Sequence, residues 1–212
     1  ACAGGVEFDV LAEVDVGAGR VGVMPGRELG DLVRGLDTLS GLRFQGICFY
    51  PGHIRLMDET GLRAMDALDR LVRSAVSDLH RDGFEVPVVS GGSTPTLYHS
   101  HRVTAMNEIR PGTYIFNDRN TVAGGACGVD GCAASVITTV VSTARPGQVI
   151  IDGGSKTFSS DRLAGAGEEA GFGLFPEEPR AVLFRMNEEH GFVDVRACHT
   201  SFRVGDRLRV IP

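Results

Sequence analysis

The sequence predicts an α/β fold in which a parallel sheet or barrel is followed by a mainly antiparallel β domain. Three observations carry this. Residues 6–110 alternate β-rich apolar runs with amphipathic helical stretches in βαβα order. Beyond about residue 135 the chain becomes a series of short β-rich runs separated by Gly, Pro and acidic turns. A Gly-rich connector at 123–131 lies between them and places a boundary near residue 130, giving an α/β unit over 1–130 and a β domain over 131–212.

The first strand is expected over residues 6–16, rich in β-formers. Pro25 starts a helical stretch in which Leu29, Leu32, Val33 and Leu36 share a face, and Gly41 ends it. A second strand is expected over 43–50. The helix after it carries Leu62, Met65, Leu68, Leu71, Val72, Ala75, Val76 and Leu79 as a broad apolar stripe, with Gly83 as its stop signal. Residues 86–89 form a third strand and 107–110 lead into a fourth. In the second region, runs at 136–141, 148–152, 181–186, 192–195 and 207–211 are expected to pair antiparallel.

Composition narrows the function classes. The chain has 212 residues, 42% of them apolar, enough to bury a sizeable core. Its formal net charge of −6, without a Lys/Arg cluster, argues against a nucleic-acid partner. No apolar run approaches the roughly 20 residues of a membrane span, and there is no signal-like leader, so a soluble cytoplasmic protein with no membrane partner is expected. Cys2, Cys48, Cys127, Cys132 and Cys198 lack a CxxC pair and are expected as isolated reduced thiols. Cys127 and Cys132 flank a Gly-rich turn. Cys198 and His199, as strand neighbours, would point to opposite faces and cannot easily share an ion.

Two loops stand out. Ser90-Gly91-Gly92-Ser93-Thr94-Pro95-Thr96 and, further on, Glu108-Ile109-Arg110-Pro111-Gly112-Thr113-Tyr114 each follow a strand-like run. Each offers small residues whose backbone N–H groups can approach an anion, with hydroxyls beside them. Tandem loops on consecutive strands suggest one phosphorylated ligand.

About four βα units precede the β domain, half of a closed eight-stranded barrel, and residues 207–212 stop where a loop should begin. Half a barrel would leave raw sheet edges, so a fragment of a longer protein is expected.

Six motifs in order resemble the D-threonine aldolase and D-serine dehydratase family, within the alanine-racemase-like class of pyridoxal 5'-phosphate (PLP) enzymes. They are residues 15–22 (Asp-Val-Gly-Ala-Gly-Arg-Val-Gly), Tyr50-Pro51-Gly52-His53, the Ser90 to Thr96 loop, Arg110-Pro111-Gly112-Thr113-Tyr114, Asp152-Gly153-Gly154-Ser155-Lys156 and Glu188-Glu189-His190-Gly191. The resemblance covers essentially the whole chain. It implies a PLP-binding TIM-type (β/α)8 barrel, of which this chain holds part, followed by the β domain, in a homodimer.

The resemblance also implies roles. Arg20 would hydrogen-bond the phenolic oxygen of the cofactor, between glycines that let backbone approach a flat ring. His53, at the rim of a barrel strand, would sit against the cofactor ring and act as a general base, with Tyr50 lining the pocket. Gly91, Gly92, Ser93 and Thr94, with Gly112, Thr113 and Tyr114, would hold the phosphate. Arg110 is the candidate to face the pyridine nitrogen.

Lys156 is the single lysine of the chain. PLP enzymes need a lysine to carry the cofactor, and the family's lysine lies on an early barrel strand, so it is expected upstream of Ala1. Lys156 then reads as a charged turn residue. A divalent metal, Zn or Mn, is implied for the full-length protein, with ligands beyond Pro212; no metal ligand is assigned here, and His190, Cys198 and His199 read as ordinary turn residues. The implied activity is a lyase reaction on a D-β-hydroxy-α-amino acid: aldol cleavage to glycine and an aldehyde, or dehydration of the D-serine and 3-hydroxyaspartate type. His53 suits the first. A PLP-binding protein without turnover and a phosphosugar-binding barrel are the remaining alternatives.

Overall fold

The computed structural model describes residues 5–163, 167 and 170–212. Two compact units make up the chain, Ala1–Gly112 and Thr113–Pro212.

In the first unit, β1 (Phe8–Val14), α1 (Arg27–Asp37), β2 (Leu42–Phe49), α2 (Glu59–Arg81), β3 (Val88–Gly91) and β4 (Glu108–Ile109) follow one another. The strands pair side by side in the order β1-β2-β3-β4, all parallel. Sequential parallel strands with intervening helices are the repeating unit of a (β/α)8 barrel. One sheet face packs on the helices through Ala12, Val14, Ile47, Phe49 and Val89, against Leu29, Val33, Met65, Leu68, Val72 and Leu79. Each fully buried aliphatic side chain of this kind contributes about 1.5–3 kcal/mol relative to exposure.

The longer helix carries a defined cap at each end. Asp58 caps α2 by accepting the Gly61 N–H at 2.9 Å. Gly83 closes it in the left-handed region at φ +91°, with Phe84 N–H returning to the Leu79 carbonyl at 3.0 Å. In α1 the buried face is Leu29, Gly30 and Val33, whereas Leu32 is exposed. Leu32 was expected on that face, but at 3.6 residues per turn it lies roughly 100° round the helix from its centre.

The second unit contains α3 (Arg119–Ala123), β5 (Val136–Arg145), β6 (Gln148–Ile151), α4 (Ser155–Phe158), β7 (Val182–Met186), β8 (Gly191–Asp194) and β9 (Arg207–Val210). Its strands form one antiparallel sheet in the order β7-β8-β6-β5-β9. Val140, Val149, Ile151, Leu183, Val193 and Val210 supply its core, and along β5 and β6 burial alternates with the period of two that a half-buried strand requires. The first unit ends at Gly112 and the second opens at Thr113. Arg119 gives the physical reason. It is buried, its backbone N–H bonds the Pro212 carbonyl at 3.1 Å, and its guanidinium donates to the Gly171 carbonyl at 2.8 Å and to that of Ala170. A buried guanidinium needs such acceptors, and they tie the segment after Gly112 to the β domain.

Candidate functional site

Because β1 to β4 are parallel neighbours, their C-terminal ends share one edge of the sheet, and each opens into a loop rich in polar groups. After β1, the Asp15 carboxylate accepts the N–H groups of Gly17 at 2.8 Å and Gly19 at 3.2 Å. Those bonds, with a smaller contribution from the nearby His53, hold its carboxyl below the usual carboxylate range. Asp15 N–H to the Val23 carbonyl and Val23 N–H to the Glu13 carbonyl, both 2.9 Å, fold the loop back on the strand. Gly17 has φ +116°, and a Cβ there would lie 3.2 Å from Cε1 of His53. The imidazole therefore rests on bare backbone. The same loop carries Arg20, whose guanidinium sits 4.5 Å above the ring centroid of Tyr50.

Tyr50 and His53 leave β2 through a turn closed by Ile54 N–H to the Pro51 carbonyl at 3.0 Å, with Pro51 and Ile54 buried as its anchors and both functional candidates exposed. After β3, residues 90–94 are all buried. The loop is closed on itself: Ser93 N–H bonds Thr96 Oγ1 at 3.1 Å, and the two hydroxyls lie 3.1 Å apart. The Ser93 amide, offered by the sequence as an anion donor, is thus engaged within the loop. After β4, Arg110 N–H bonds the Gly91 carbonyl at 2.9 Å and its Nη2 reaches across β3 to the Phe49 carbonyl at 3.1 Å.

The structure thus gathers Arg20, Tyr50, His53, Gly91 to Thr94, Arg110 and Gly112 at the loop-bearing end of one sheet. Thr113 and Tyr114 open the second unit, in a 3-10 turn over Thr113–Ile115 whose Thr113 carbonyl accepts from Phe116 at 3.1 Å and Asn117 at 2.6 Å. Lys156 lies in α4, exposed, with Nζ 2.9 Å from carboxylate oxygens of both Glu188 and Glu189. Hydrogen bonds to Glu189 and Glu188 raise its pKa. A cofactor-carrying amine must lose its proton, and this environment favours keeping it.

Sequence reasoning missed one group. The register places Glu13 beside Cys48, Cys48 beside Ser90 and Ser90 beside Glu108. Ser90 donates its hydroxyl to Glu108, and burial pushes the Cys48 thiol up, opposed by Arg110 and reinforced by Glu13 and Glu108. Barrel layers are usually filled by branched apolar side chains, so a polar row one step below the loops is distinctive. Only the strand register brings these residues together. Asp15 was more accessible to inspection, since an Asp followed two residues later by Gly is an Asx-turn pattern.

Residues 1–120 match the alanine racemase N-terminal domain, and residues 133–212 match the putative serine dehydratase domain. The chain belongs to the alanine racemase N-terminal domain family. It is 32% identical to D-threo-3-hydroxyaspartate dehydratase of Delftia sp. (strain HT23) over 98% of this chain and 59% of that protein. It is 31% identical to D-threonine aldolase of Arthrobacter sp. over 98% of this chain and 54% of that protein. The crystal structure of D-threonine aldolase from Filomicrobium marinum superposes with a TM-score of 0.85 at 24% identity, covering 100% of this chain and 56% of that one, a likeness of fold. The chain spans somewhat over half the length of the curated relatives it matches.

The family is known for dependence on PLP, and the edge of the first unit can be tested for it. At Gly92, which has φ +87°, an added Cβ would meet nothing closer than 3.8 Å, and at Gly112 nothing within 4 Å. Gly92 therefore borders space that a side chain would fill, beside the buried Ser93 and Thr94, while Gly112 is exposed. Those residues fit a bound phosphate. No group of three or more His, Cys, Asp or Glu among the described residues could hold a metal ion, so none is assigned to one. No described helix is long and apolar enough to cross a membrane.

Proposed function

We propose that this chain forms the cofactor-binding part of a PLP-dependent lyase acting on D-β-hydroxy-α-amino acids, with aldol cleavage to glycine and an aldehyde as its reaction. The observation that supports it is the packing of His53 on the Asp15 to Gly19 turn with Arg20 over Tyr50, at the sheet edge that also carries the Ser90 to Thr96 loop. When bound, PLP supplies an electron sink for the carbon left by bond cleavage. The residues of this chain do the rest. Gly91, Gly92, Ser93, Thr94 and Gly112 would hold the phosphate; Arg20 would donate to the phenolic oxygen; and Arg110, oriented by the Phe49 carbonyl, would face the pyridine nitrogen. His53, exposed beside the Asp15 turn, takes the substrate's β-hydroxyl proton on an imidazole nitrogen.

A second reading, dehydration to a 2-oxo acid and ammonia, is favoured by the match of residues 133–212 to a putative serine dehydratase domain and by the Delftia relative. Supplying the whole protein that contains this chain with PLP, a divalent metal and D-threonine or D-threo-3-hydroxyaspartate separates them. Aldehyde and glycine support the first reading, ammonia and a 2-oxo acid the second, and turnover of neither substrate counts against both. We also propose a homodimer in the cytoplasm, with Zn or Mn held by residues outside this chain. Sedimentation of the whole protein at one protomer's mass would overturn the dimer.

A further inference from the structure

Cys127 and Cys132 are free thiols at the two ends of one short turn. A 3-10 turn over Val129–Gly131 reverses the chain between them, with Gly131 N–H on the Gly128 carbonyl at 2.9 Å and Cys132 N–H on that of Val129 at 3.1 Å. A Cβ added to Gly131 would lie 3.2 Å from the Cβ of Cys127 and 3.8 Å from its sulfur. Cys127 is among the groups that raise the pKa of the Cys132 thiol, and both thiols are free and partly accessible. We propose that Cys127 and Cys132 form a modification site at which a peroxide generates an intramolecular disulfide. Two cysteines set at the ends of one tight, hydrogen-bonded turn are what such a bond requires, because the sulfurs must approach without large movement of the backbone.

The chemistry balances. Sulfur of Cys127 attacks one oxygen of the peroxide, the O–O bond breaks, and Cys127 becomes a sulfenic acid as one water leaves. Sulfur of Cys132 then displaces the hydroxyl, forming the S–S bond and a second water. Two thiols lose two electrons and two hydrogens, and the peroxide is reduced. The order follows from the surroundings of Cys132: burial first, then the neighbouring Cys127 and Asp118, push its thiol up to about 11, leaving Cys127 as the first attacker.

The turn is clasped to the segment that opens the second unit. Asn117, in the left-handed region at φ +52°, donates Nδ2 to the Gly131 carbonyl at 2.9 Å, and Ala133 N–H bonds the Phe116 carbonyl at 2.7 Å. A disulfide would brace this clasp directly after Thr113 and Tyr114. Its effect on those residues is independent of whether the enzymatic reading holds.

The test treats the full chain with a small excess of hydrogen peroxide under native conditions, blocks remaining thiols by alkylation, and maps tryptic peptides by mass. The expected result is a peptide 120–156 lighter by two hydrogens and unalkylated, on a chain that remains monomeric by non-reducing electrophoresis and regains both thiols in dithiothreitol. In Cys132→Ser, dimedone should trap a sulfenic acid on Cys127; in Cys127→Ser, Cys132 should stay alkylatable. Full alkylation of both thiols, or cross-linking of this peptide to Cys48, Cys198 or a second chain, would overturn the proposal. Equal oxidation of Cys132 in Cys127→Ser would overturn the order of attack.

Discussion

The guanidinium of Arg20 lies 4.5 Å above the ring of Tyr50, joining the loop after β1 to the loop after β2. Both side chains are exposed, so the contact competes with water and is worth about 0.5–1 kcal/mol. A double-mutant cycle with Arg20→Met and Tyr50→Leu, read by urea unfolding, should give a coupling energy in that range. Additive effects would show that the stacking does not hold the two loops together.

Glycines in the Arg20 loop are not equivalent. At Gly22, φ is +100° and a Cβ would sit 2.8 Å from the Asp15 nitrogen and 2.9 Å from the Glu13 carbonyl oxygen. At Gly19, φ is +62° and nothing lies within 4 Å. Gly19→Ala should cost about 1–2 kcal/mol, the left-handed penalty alone. Gly22→Ala should cost clearly more, because backbone must also move. Thermal unfolding of the two variants orders them, and a Gly19 cost equal to or above that of Gly22 would contradict the packing described.

Asp15 makes a pH prediction with a definite sign. Its folded-state pKa is depressed, chiefly by the Gly17 and Gly19 amides. Its contribution to stability is therefore complete above the ordinary value of 3.8 and is lost as pH falls through the lower folded value. The Gly17 and Gly19 amide resonances should titrate together with a midpoint below 3.8, and Asp15→Asn should abolish the titration. A midpoint at or above that value would mean the turn is not held by the carboxylate.

The β domain tests the core assignment. Leu183 on β7 is 0% exposed, while Ile137 on β5 is 56% exposed. Leu183→Ala should destabilise the second unit by about 2–5 kcal/mol, and Ile137→Ala by no more than about 0.5 kcal/mol. Denaturant unfolding followed by circular dichroism measures both, and similar costs would contradict the facing of β5 and β7.

Much of this was legible in the sequence because it depends on local periodicity. Apolar spacing located both long helices, and Gly83, read as a stop signal, does end α2; the Asp58 cap at its start came only with the structure. The site loops were visible because glycines and hydroxyls follow directly after strand-like runs. What stayed hidden depends on distant partners. The row Glu13, Cys48, Ser90 and Glu108 follows from strand register, and the thiol pair follows from how a short turn folds. Neither leaves a periodic trace. The Lys156 pairing with Glu188 and Glu189 likewise joins residues more than thirty positions apart.

The loop-bearing edge of the first unit should bind a phosphorylated pyridine independently of Lys156. Calorimetric titration with pyridoxine 5'-phosphate, which has no aldehyde to react with an amine, addresses it directly, with unphosphorylated pyridoxine as control. The account predicts saturable binding that needs the phosphate, weakens about tenfold in Arg20→Met, a loss of about 1.4 kcal/mol, and is unchanged in Lys156→Gln. Absence of binding, equal affinity for pyridoxine, or loss of binding in Lys156→Gln alone would contradict it.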